Sequence, residues 1–422
     1  MDDPGLFRIK TAVITAVIIL LIDAYAFQAL RTVLRGKSRS WRLGVFAAHW
    51  ALSFTAVVAA LWNNLADPLN HYSLVREWLA GIIAPIYLSK LSALVVIAAD
   101  DIRRLYLWVI RRLKPTQPPE DDEAQKIPRS VFLNKAAVIA GAIPFTAFTY
   151  GILSGAHDYR VIQRTIRLPN LPPALDGIRI GQFSDIHTGT LFNKTAIQGG
   201  IDLLLAQKPD LIFFTGDLVN YYAREARPYV SLFARMKAPL GVYAVTGNHD
   251  YGDYNWWPSS EARLADIRLI HTAYREMGYD LLLNENRVLT IAGEPLAVIG
   301  VENWGYRRPQ KYGDLTKALQ GAEQAPVKIL LSHDPSHWDH EVKTSYPQID
   351  ITFSGHTHGF QCGVEVGDFR WSPAQYRFAQ WADLYQQGSQ YLYVNRGFGC
   401  VGYPGRIGMP PELTVVTLER GG

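Results

Sequence analysis

Side chains that bind metals or move protons recur directly after short apolar runs between residues 184 and 359. Five clusters follow runs that the pattern predicts as strands: Ser184-Asp185-Ile186-His187, Gly216-Asp217, Gly247-Asn248-His249-Asp250, Ser332-His333-Asp334 and Gly355-His356-Thr357-His358-Gly359. Ligands in open α/β sheets bind outside the carboxyl ends of the strands. The five clusters are therefore expected to meet at one edge of the predicted sheet.

The side-chain types in these clusters predict metal chemistry. Carboxylates, imidazoles and an amide oxygen, without a thiolate, suit Mn, Fe or Zn better than copper or an iron–sulfur cluster. Residues two apart on an extended strand point the same way, as Asp185 and His187 do, and likewise His356 and His358. Each pair is therefore predicted to direct both of its side chains toward the edge of the sheet where the clusters meet.

Three histidines lie close together after the fourth run, at His333, His337 and His340. His333 ends the predicted strand directly, whereas the other two are expected on the helix that follows. His333 is therefore the predicted ligand of the three.

The ordered set of clusters resembles the calcineurin-like metallophosphoesterase superfamily over about residues 160–420. It is most similar to the membrane-anchored bacterial subgroup, as are Leu168-Pro-Asn-Leu171 before the first strand and two later segments, Asn395-Arg-Gly-Phe-Gly399 and Pro410-Pro-Glu-Leu413. Phe360 departs from the subgroup, which commonly has a second glycine there. The resemblance implies an α/β fold, a layered β-sandwich flanked by helices.

The resemblance also implies two divalent metal ions bridged by Asp217. Three further ligands would complete each site: Asp185, His187 and His358 in the first, and Asn248, His333 and His356 in the second. A metal-bridging hydroxide would attack phosphorus in line, so the reaction would be hydrolysis of a phosphomonoester, phosphodiester or pyrophosphate. His249 would stabilise the charge or protonate the leaving alkoxide, with Asp250 orienting its imidazole.

The pattern of apolar residues changes near residue 155, and the elements expected to position the five clusters lie after this change. Four apolar stretches, at about 11–30, 43–62, 79–99 and 132–153, are each near the roughly 20 residues that cross a bilayer. They predict an N-terminal bundle of about four transmembrane helices in residues 1–155. Residues 156–422 instead alternate short β-rich runs with helical stretches, which predicts the catalytic domain. The predicted helices are 194–207 and 224–236, and the predicted strands and apolar runs are 178–183, 210–215, 241–246, 296–301, 327–332, 349–353, 391–395 and 413–418.

Basic residues in the connecting loops predict the orientation. The loop after the first stretch carries five of them, Arg31, Arg35, Lys37, Arg39 and Arg42, and the loop after the third also carries several. Both loops are expected in the cytoplasm, which directs the catalytic domain to the periplasm or outside of a bacterial inner membrane. The proximity of the four stretches also indicates a phosphate-ester substrate linked to lipid. The alternatives are a cytoplasmic-facing nucleotide–lipid pyrophosphatase, or a membrane scaffold or sensor without catalysis.

The composition of the chain limits which classes of partner are expected. A net charge of +4 is too small to indicate nucleic-acid binding. The two cysteines, Cys362 and Cys400, could form one disulfide or stay as two buried thiols. Asp23 and Lys90 lie deep in the first and third stretches, where they could pair, face a polar cavity or snorkel.

Two aromatic stretches, at residues 251–258 and 303–308, are the candidate substrate contacts. Arg307 and Arg308 are predicted to contact phosphate, and Trp256 and Trp257 to contact a lipid substrate. The alternative for both stretches is packing within surface loops.

Overall fold

The computed structural model describes residues 4–65, 73–113, 129–305, 311–367 and 369–421. The chain divides into two compact units, residues Met1–Thr149 and Tyr150–Gly422. The first unit is helical, and the second combines sheets with short helices.

Four long helices occupy the N-terminal part of the chain: α1 (Pro4–Val33), α2 (Arg39–Leu65), α3 (Ser73–Leu113) and α4 (Arg129–Leu153). Each is apolar over a length that can cross a membrane. The candidate spans among the described residues are Ile9–Val33, Arg39–Leu65, Gly81–Ile110 and Phe132–His157. The four predicted stretches fall on these spans, and the chain is a membrane protein.

The two deeply placed charges of the first unit form an ion pair. The Lys90 ammonium donates to the Asp23 carboxylate, and Asp23 is fully buried. The Tyr87 hydroxyl donates to the other carboxylate oxygen at 2.7 Å. His49 Nε2 lies 3.1 Å from the Asp23 carbonyl oxygen. Of the alternatives open from the sequence, the structure supports pairing.

Replacing Lys90 by methionine is expected to destabilise the helical unit by about 3 kcal/mol or more, because it leaves the Asp23 carboxylate buried without its cation. The measurement is the free energy of unfolding in detergent micelles. The double variant Asp23→Asn, Lys90→Met removes both charges and should recover most of the loss. A single variant as stable as wild type would contradict the pairing.

The second unit contains fourteen strands and five α-helices, besides shorter 3-10 turns, among its described residues. The strands are β1 (Arg160–Leu168), β2 (Arg179–Phe183), β3 (Leu211–Phe214), β4 (Val242–Ala244), β5 (Asp280–Leu281), β6 (Glu285–Ile291), β7 (Glu294–Gly300), β8 (Val327–Leu331), β9 (Ile351–Ser354), β10 (Val364–Val366), β11 (Phe369–Trp371), β12 (Asp383–Gln387), β13 (Gln390–Val394) and β14 (Glu412–Arg420). The helices are α5 (Lys194–Leu205), α6 (Val230–Phe233), α7 (Ser260–Glu276), α8 (Leu315–Ala318) and α9 (Lys343–Ser345).

Two six-stranded sheets form the centre of this unit, in the orders β1-β14-β2-β3-β4-β5 and β12-β13-β9-β8-β7-β6. Apolar side chains from both sheets share one buried cluster, which includes Ile180 and Phe213 from the first and Ile329 and Phe353 from the second. Helices α5 and α7 cover the outer face of the first sheet, and α8 covers that of the second. The architecture is therefore the expected layered β-sandwich flanked by helices.

One predicted helix is much shorter than expected. The sequence predicted a helix over residues 224–236, but α6 spans only Val230–Phe233. Pro228 explains the difference, because its ring disfavours helical backbone at the residue before it. The Glu225 carboxylate also accepts backbone N–H groups of residues 220–222, which closes a separate turn upstream.

Candidate metal centre

The five polar clusters lie at one edge of the sandwich, where the parallel strands β2, β3, β4, β8 and β9 end. Backbone hydrogen bonds join neighbouring clusters sideways. The Asp185 N–H donates to Gly216 O at 2.9 Å, and the Gly355 N–H donates to His333 O at the same distance. The regular strands therefore fix the relative positions of the loops that carry the site.

A first group of donor atoms comes from Asp185, His187 and His358. His358 Nε2 lies 3.2 Å from Asp185 Oδ1 and 3.1 Å from His187 Nε2. The donor atoms of all three lie within 4.8 Å of one another, and all three side chains are buried. These are the three residues that the resemblance assigned to the first metal.

A second group comes from Asn248, His333 and His356. Asn248 Oδ1 lies 3.0 Å from His333 Nε2 and 2.8 Å from His356 Nδ1. The two imidazole nitrogens are 3.2 Å apart. These three residues are the ones that the resemblance assigned to the second metal.

Asp217 lies between the two groups. Its Oδ2 is 3.5 Å from His187 Nε2 in the first group and 3.2 Å from His333 Nε2 in the second. Its Oδ1 accepts the backbone N–H of His249 at 2.8 Å, which fixes the plane of the carboxylate. One carboxylate oxygen is thus shared by the two donor groups.

The donor set fits two metal ions. Nitrogen and oxygen ligands about 2.0–2.1 Å from a tetrahedral ion lie roughly 3.3 Å from one another, close to the spacings within both groups. Two Nε2 atoms 3.1 Å apart, in His187 and His358, need either a proton or a cation between them. The family to which these clusters are similar typically binds two divalent ions, which these residues could hold.

Backbone strain is concentrated at the candidate ligands. Five of them have left-handed backbone φ angles, which residues other than glycine rarely adopt. They are Asp185 (51°), His187 (47°), Asp217 (59°), His356 (73°) and His358 (52°). Such conformations persist only where the surrounding structure imposes them, and they cluster at functional sites. A glycine precedes Asp217 because Gly216 has φ of 96° and a Cβ there would lie 2.6 Å from Gly247 N.

Electrostatic coupling dominates the buried site. Burial would raise the pKa of Asp217, but His333 and His249 hold that pKa well below its usual range. Burial lowers the pKa of His333, but Asp217 outweighs burial and raises that pKa to about 10. Without a metal, His333 therefore carries a proton at neutral pH. A cation must displace that proton, so metal affinity is expected to increase with pH.

The ring of His249 is oriented by a backbone carbonyl rather than by Asp250. His249 Nδ1 lies 2.7 Å from Asn220 O, and a carbonyl only accepts, so Nδ1 carries the proton. The Asp250 carboxylate instead accepts the backbone N–H groups of Asp217 and Gly247 and the hydroxyl of Tyr274. The predicted orienting role of Asp250 was therefore wrong; the residue holds the Asp217 loop in place.

Burial and the neighbouring charge of Asp217 raise the pKa of Asp250 to about 6. This carboxylate lies behind the loops that carry the two donor groups and has no exposure to solvent. Its hydrogen bonds to successive N–H groups explain why an acidic residue is tolerated there.

Tyr254 has a role that the sequence did not reveal. Its hydroxyl accepts from Asn248 Nδ2 at 2.9 Å, which directs Asn248 Oδ1 toward His333 and His356. The Tyr254 ring also lies 4.6 Å from the His249 ring. The sequence marked Tyr254 only as part of an aromatic stretch, since a loop residue six positions after Asn248 has no periodicity that indicates its direction.

Arg406 is a second residue without a sequence signal. Its fully buried guanidinium donates to the carbonyls of Gly399, Gly397 and Arg396. The same loop returns to the site, because the Gly399 N–H donates to Asp185 O at 2.8 Å. Arg406 therefore supports the backbone behind the first donor group.

The other histidines near His333 are used elsewhere. His337 Nδ1 lies 2.9 Å from Ser332 Oγ, and its ring stacks on Trp304. His340 Nδ1 lies 2.9 Å from the Ser336 carbonyl. Of the three histidines, His333 is the one that joins the donor groups.

The four predicted substrate contacts have different outcomes in the structure. Trp256 is half exposed, whereas the Trp257 indole donates to Gly252 O at 2.7 Å and its ring contacts Tyr222. Trp257 therefore holds the loop, in line with the packing alternative. Arg307 and Arg308 lie outside the described residues.

Cys362 and Cys400 are free thiols, so the disulfide alternative is not observed.

An open cavity of about 530 Å³ adjoins the second donor group at His356. Its lining includes Asp334, His340, Arg377 and Phe378. This mixture of charged and aromatic side chains provides room for the part of a substrate beyond its reacting group.

Removing bound metal with a chelator is expected to lower the free energy of unfolding of this unit by about 4 kcal/mol, if the ion is present at about a thousand times its dissociation constant. The measurement is the thermal unfolding of the chelated protein with and without added Mn²⁺. The Asp217→Asn variant should gain little from the same addition. Equal stabilisation of both proteins would contradict metal binding at this site.

The comparisons with known proteins agree with the geometry. The family model described as "Calcineurin-like phosphoesterase" matches residues 178–360. A second, described as "Probable Calcineurin-like phosphoesterase, transmembrane domain", matches residues 8–156.

Similar proteins carry names of the same kind. The uncharacterized metallophosphoesterase YkuE of Bacillus subtilis is 30% identical over 303 residues, which cover 70% of this chain and 99% of that protein. A transmembrane protein with metallophosphoesterase domain from Bos taurus is 25% identical over 434 residues, covering 98% and 90%. Its Danio rerio namesake is 27% identical over 296 residues, covering 68% of this chain and only 63% of that protein.

Proposed function

Since this chain belongs to the calcineurin-like metallophosphoesterases and carries their four-helix transmembrane domain, we propose that it hydrolyses a phosphate ester linked to lipid, outside the cytoplasm. Its class is that of a metal-dependent phosphoesterase in a membrane. The proposal adds the substrate and the side of the membrane. It also assigns catalysis to residues 156–422 and anchoring to residues 1–155.

The observation that carries the proposal is the position of Asp217 Oδ2 between two donor groups of three residues each. We assign Asp185, His187 and His358 to one ion and Asn248, His333 and His356 to the other, with Asp217 shared. The ions would be Mn, Fe or Zn, which accept this mixture of nitrogen and oxygen ligands. When bound, such ions make water a nucleophile at neutral pH and stabilise the attacking and leaving oxygens.

His249 completes the chemistry as a proton donor. Its Nδ1 proton is committed to Asn220 O, so Nε2 is the ring atom that can deliver a proton to a leaving alkoxide. The ring packs perpendicular to that of His187 with centroids 4.8 Å apart, which holds it beside the first donor group. His249 thus lies where it can act on a substrate held by the two donor groups.

Two observations support a lipid-linked substrate outside the cytoplasm. The described residues include four candidate spans, so the catalytic unit would work beside a bilayer. Arg31 at the end of α1, with Arg35 and Lys37 after it, favours a cytoplasmic location for the first loop. The three candidate spans that follow this loop would then bring the catalytic unit to the opposite side. The reversed orientation would instead suit the cytoplasmic-facing nucleotide–lipid pyrophosphatase.

The test is to purify the full chain in detergent, measure its metal content and assay phosphomonoesters, phosphodiesters, pyrophosphates and lipid phosphates. We expect about two metal ions per chain and the highest turnover on a lipid phosphate. If the purified protein contains no metal and stays inactive on every substrate after metal is added, the alternative of a membrane scaffold or sensor without catalysis is favoured.

The side of the membrane needs a separate measurement. A reporter fused after Gly422 that is active only outside the cytoplasm is expected to be active. A reporter active only in the cytoplasm would support the pyrophosphatase instead.

A further inference from the structure

A small β-hairpin beside the metal centre exposes an apolar face. Strands β10 and β11 pair antiparallel, with Val364 opposite Trp371 and Val366 opposite Phe369. Directly opposite residues share one face of a two-stranded sheet, so these four side chains form one surface, the apolar hairpin face. Val366 is 69% and Phe369 62% exposed, which is unusual for paired large apolar residues in water.

The opposite face of the hairpin is fixed to the body of the unit by charge. Glu365 lies opposite Arg370 and accepts from it at 3.0 Å. Glu365 also accepts from the buried Arg396 at 2.9 Å, and Arg370 donates to Asp383 at 2.9 Å. These ion pairs hold the charged face inward, so the apolar hairpin face is turned outward by construction.

The hairpin lies next to the end of the last candidate span. That span runs to His157, and its final residues belong to the catalytic unit. Gly151 O accepts the Arg406 N–H at 3.1 Å, and the neighbouring Ile407 O accepts the Gly363 N–H, directly before the hairpin, at 2.9 Å. Tyr150 and Val364 line one cavity of about 300 Å³. The hairpin therefore starts close to the end of the last candidate span.

The same hairpin is joined to the metal centre. It begins six residues after His358, and Ser372, directly after β11, donates to Gly359 O at 2.7 Å. Tyr376, which is 78% exposed, follows and lines the cavity beside His356. The hairpin is thus linked both to the end of the last candidate span and to the loop that carries His358.

We propose that the apolar hairpin face inserts into the interfacial region of the bilayer that holds the four spans, and so presents the metal centre to phosphate esters of membrane lipids. Trp, Phe and aliphatic side chains on one face favour the boundary between headgroups and acyl chains. We choose the bilayer as the partner of this face because the end of the last candidate span belongs to the same unit and contacts the segment directly before the hairpin. The lipid class of the substrate rests on the proposed function, but the insertion itself does not.

The test uses the full chain reconstituted in phosphatidylethanolamine–phosphatidylglycerol vesicles. An environment-sensitive thiol fluorophore is attached at Val366→Cys and, as a matched control, at Val288→Cys, an exposed valine on the far edge strand β6. Wild type labelled in parallel gives the background from Cys362 and Cys400. Lipids with a nitroxide at the headgroup boundary are expected to quench the Val366 probe at least about twofold and the control little.

Equal quenching at both positions would overturn the proposal. So would a Val366 probe that is shielded only at high protein-to-lipid ratio, since this indicates a second copy of the chain as occupant. The probe does not require turnover, so a quenched probe on an inactive protein would sink the proposed function alone.

A second variant tests the link to catalysis. Val366→Asp with Phe369→Asp is expected to lower turnover of lipid phosphate in vesicles at least about tenfold, because charge at the interface opposes insertion. Turnover of a soluble phosphate ester should stay unchanged, and Val288→Asp should affect neither. Equal loss on both substrates would show that the hairpin merely supports the fold, against the proposal.

Discussion

Replacing Asp217 by asparagine is expected to lower the rate of phosphate-ester hydrolysis by at least about 10³-fold. The shared carboxylate contributes to both donor groups, and metal-based charge stabilisation is worth several kcal/mol, with each 1.36 kcal/mol changing the rate tenfold. An amide cannot replace it. If the amide oxygen faces His187 and His333, the NH₂ group faces the His249 N–H, which now has no acceptor.

The measurement is turnover together with metal content of the purified variant, which should fall below that of wild type. Asparagine matches aspartate in shape, so the fold is expected to persist, as circular dichroism can check. The matched control is Asp202→Asn on α5, whose carboxylate is half exposed in a surface ion pair with Arg235. A variant at Asp217 with full metal content and full activity would rule out the shared position.

The placement of the candidate ligand clusters could be predicted from the sequence because regular structure determines it. Buried parallel strands such as β3 and β9 appear in the sequence as short apolar runs. The residues after each run must lie at one edge of the sheet. The order and spacing of the clusters then added a family resemblance. Candidate ligands within three residues of a strand end, such as Asp217 and His333, needed little further information.

The residues that orient the ligands could not be predicted, because loops bring them together. Asn220 contacts His249 through a backbone carbonyl, which no side-chain pattern can reveal. Asp250 follows His249 in sequence, and adjacency suggested a contact that the turn at this position does not make. Strands β1 and β10–β11 were likewise missed, since the exposed face of a hairpin or edge strand lacks the apolar run of a buried one.

Replacing His249 by alanine is expected to lower turnover about 10² to 10⁴-fold on esters with alkoxide leaving groups, while metal content stays at the wild-type level. His249 shares a cluster of donor atoms with His187 and Asp217, so a ligand role is the competing interpretation. The proton on Nδ1 and the contact with Asn220 O leave only Nε2 for the substrate or a metal. Metal content separates the two roles, because loss of a ligand lowers it and loss of a proton donor does not.

The leaving group provides the sharper distinction. A nitrophenolate leaves without protonation, so His249→Ala should then lose no more than about tenfold, whereas a missing ligand would slow both esters equally. His271→Asn is the matched control, since its ring lies on α7 with a buried Nε2 that has no hydrogen-bond partner among the described residues. Equal losses on both esters, with reduced metal content, would make His249 a ligand and leave the leaving oxygen without a proton donor.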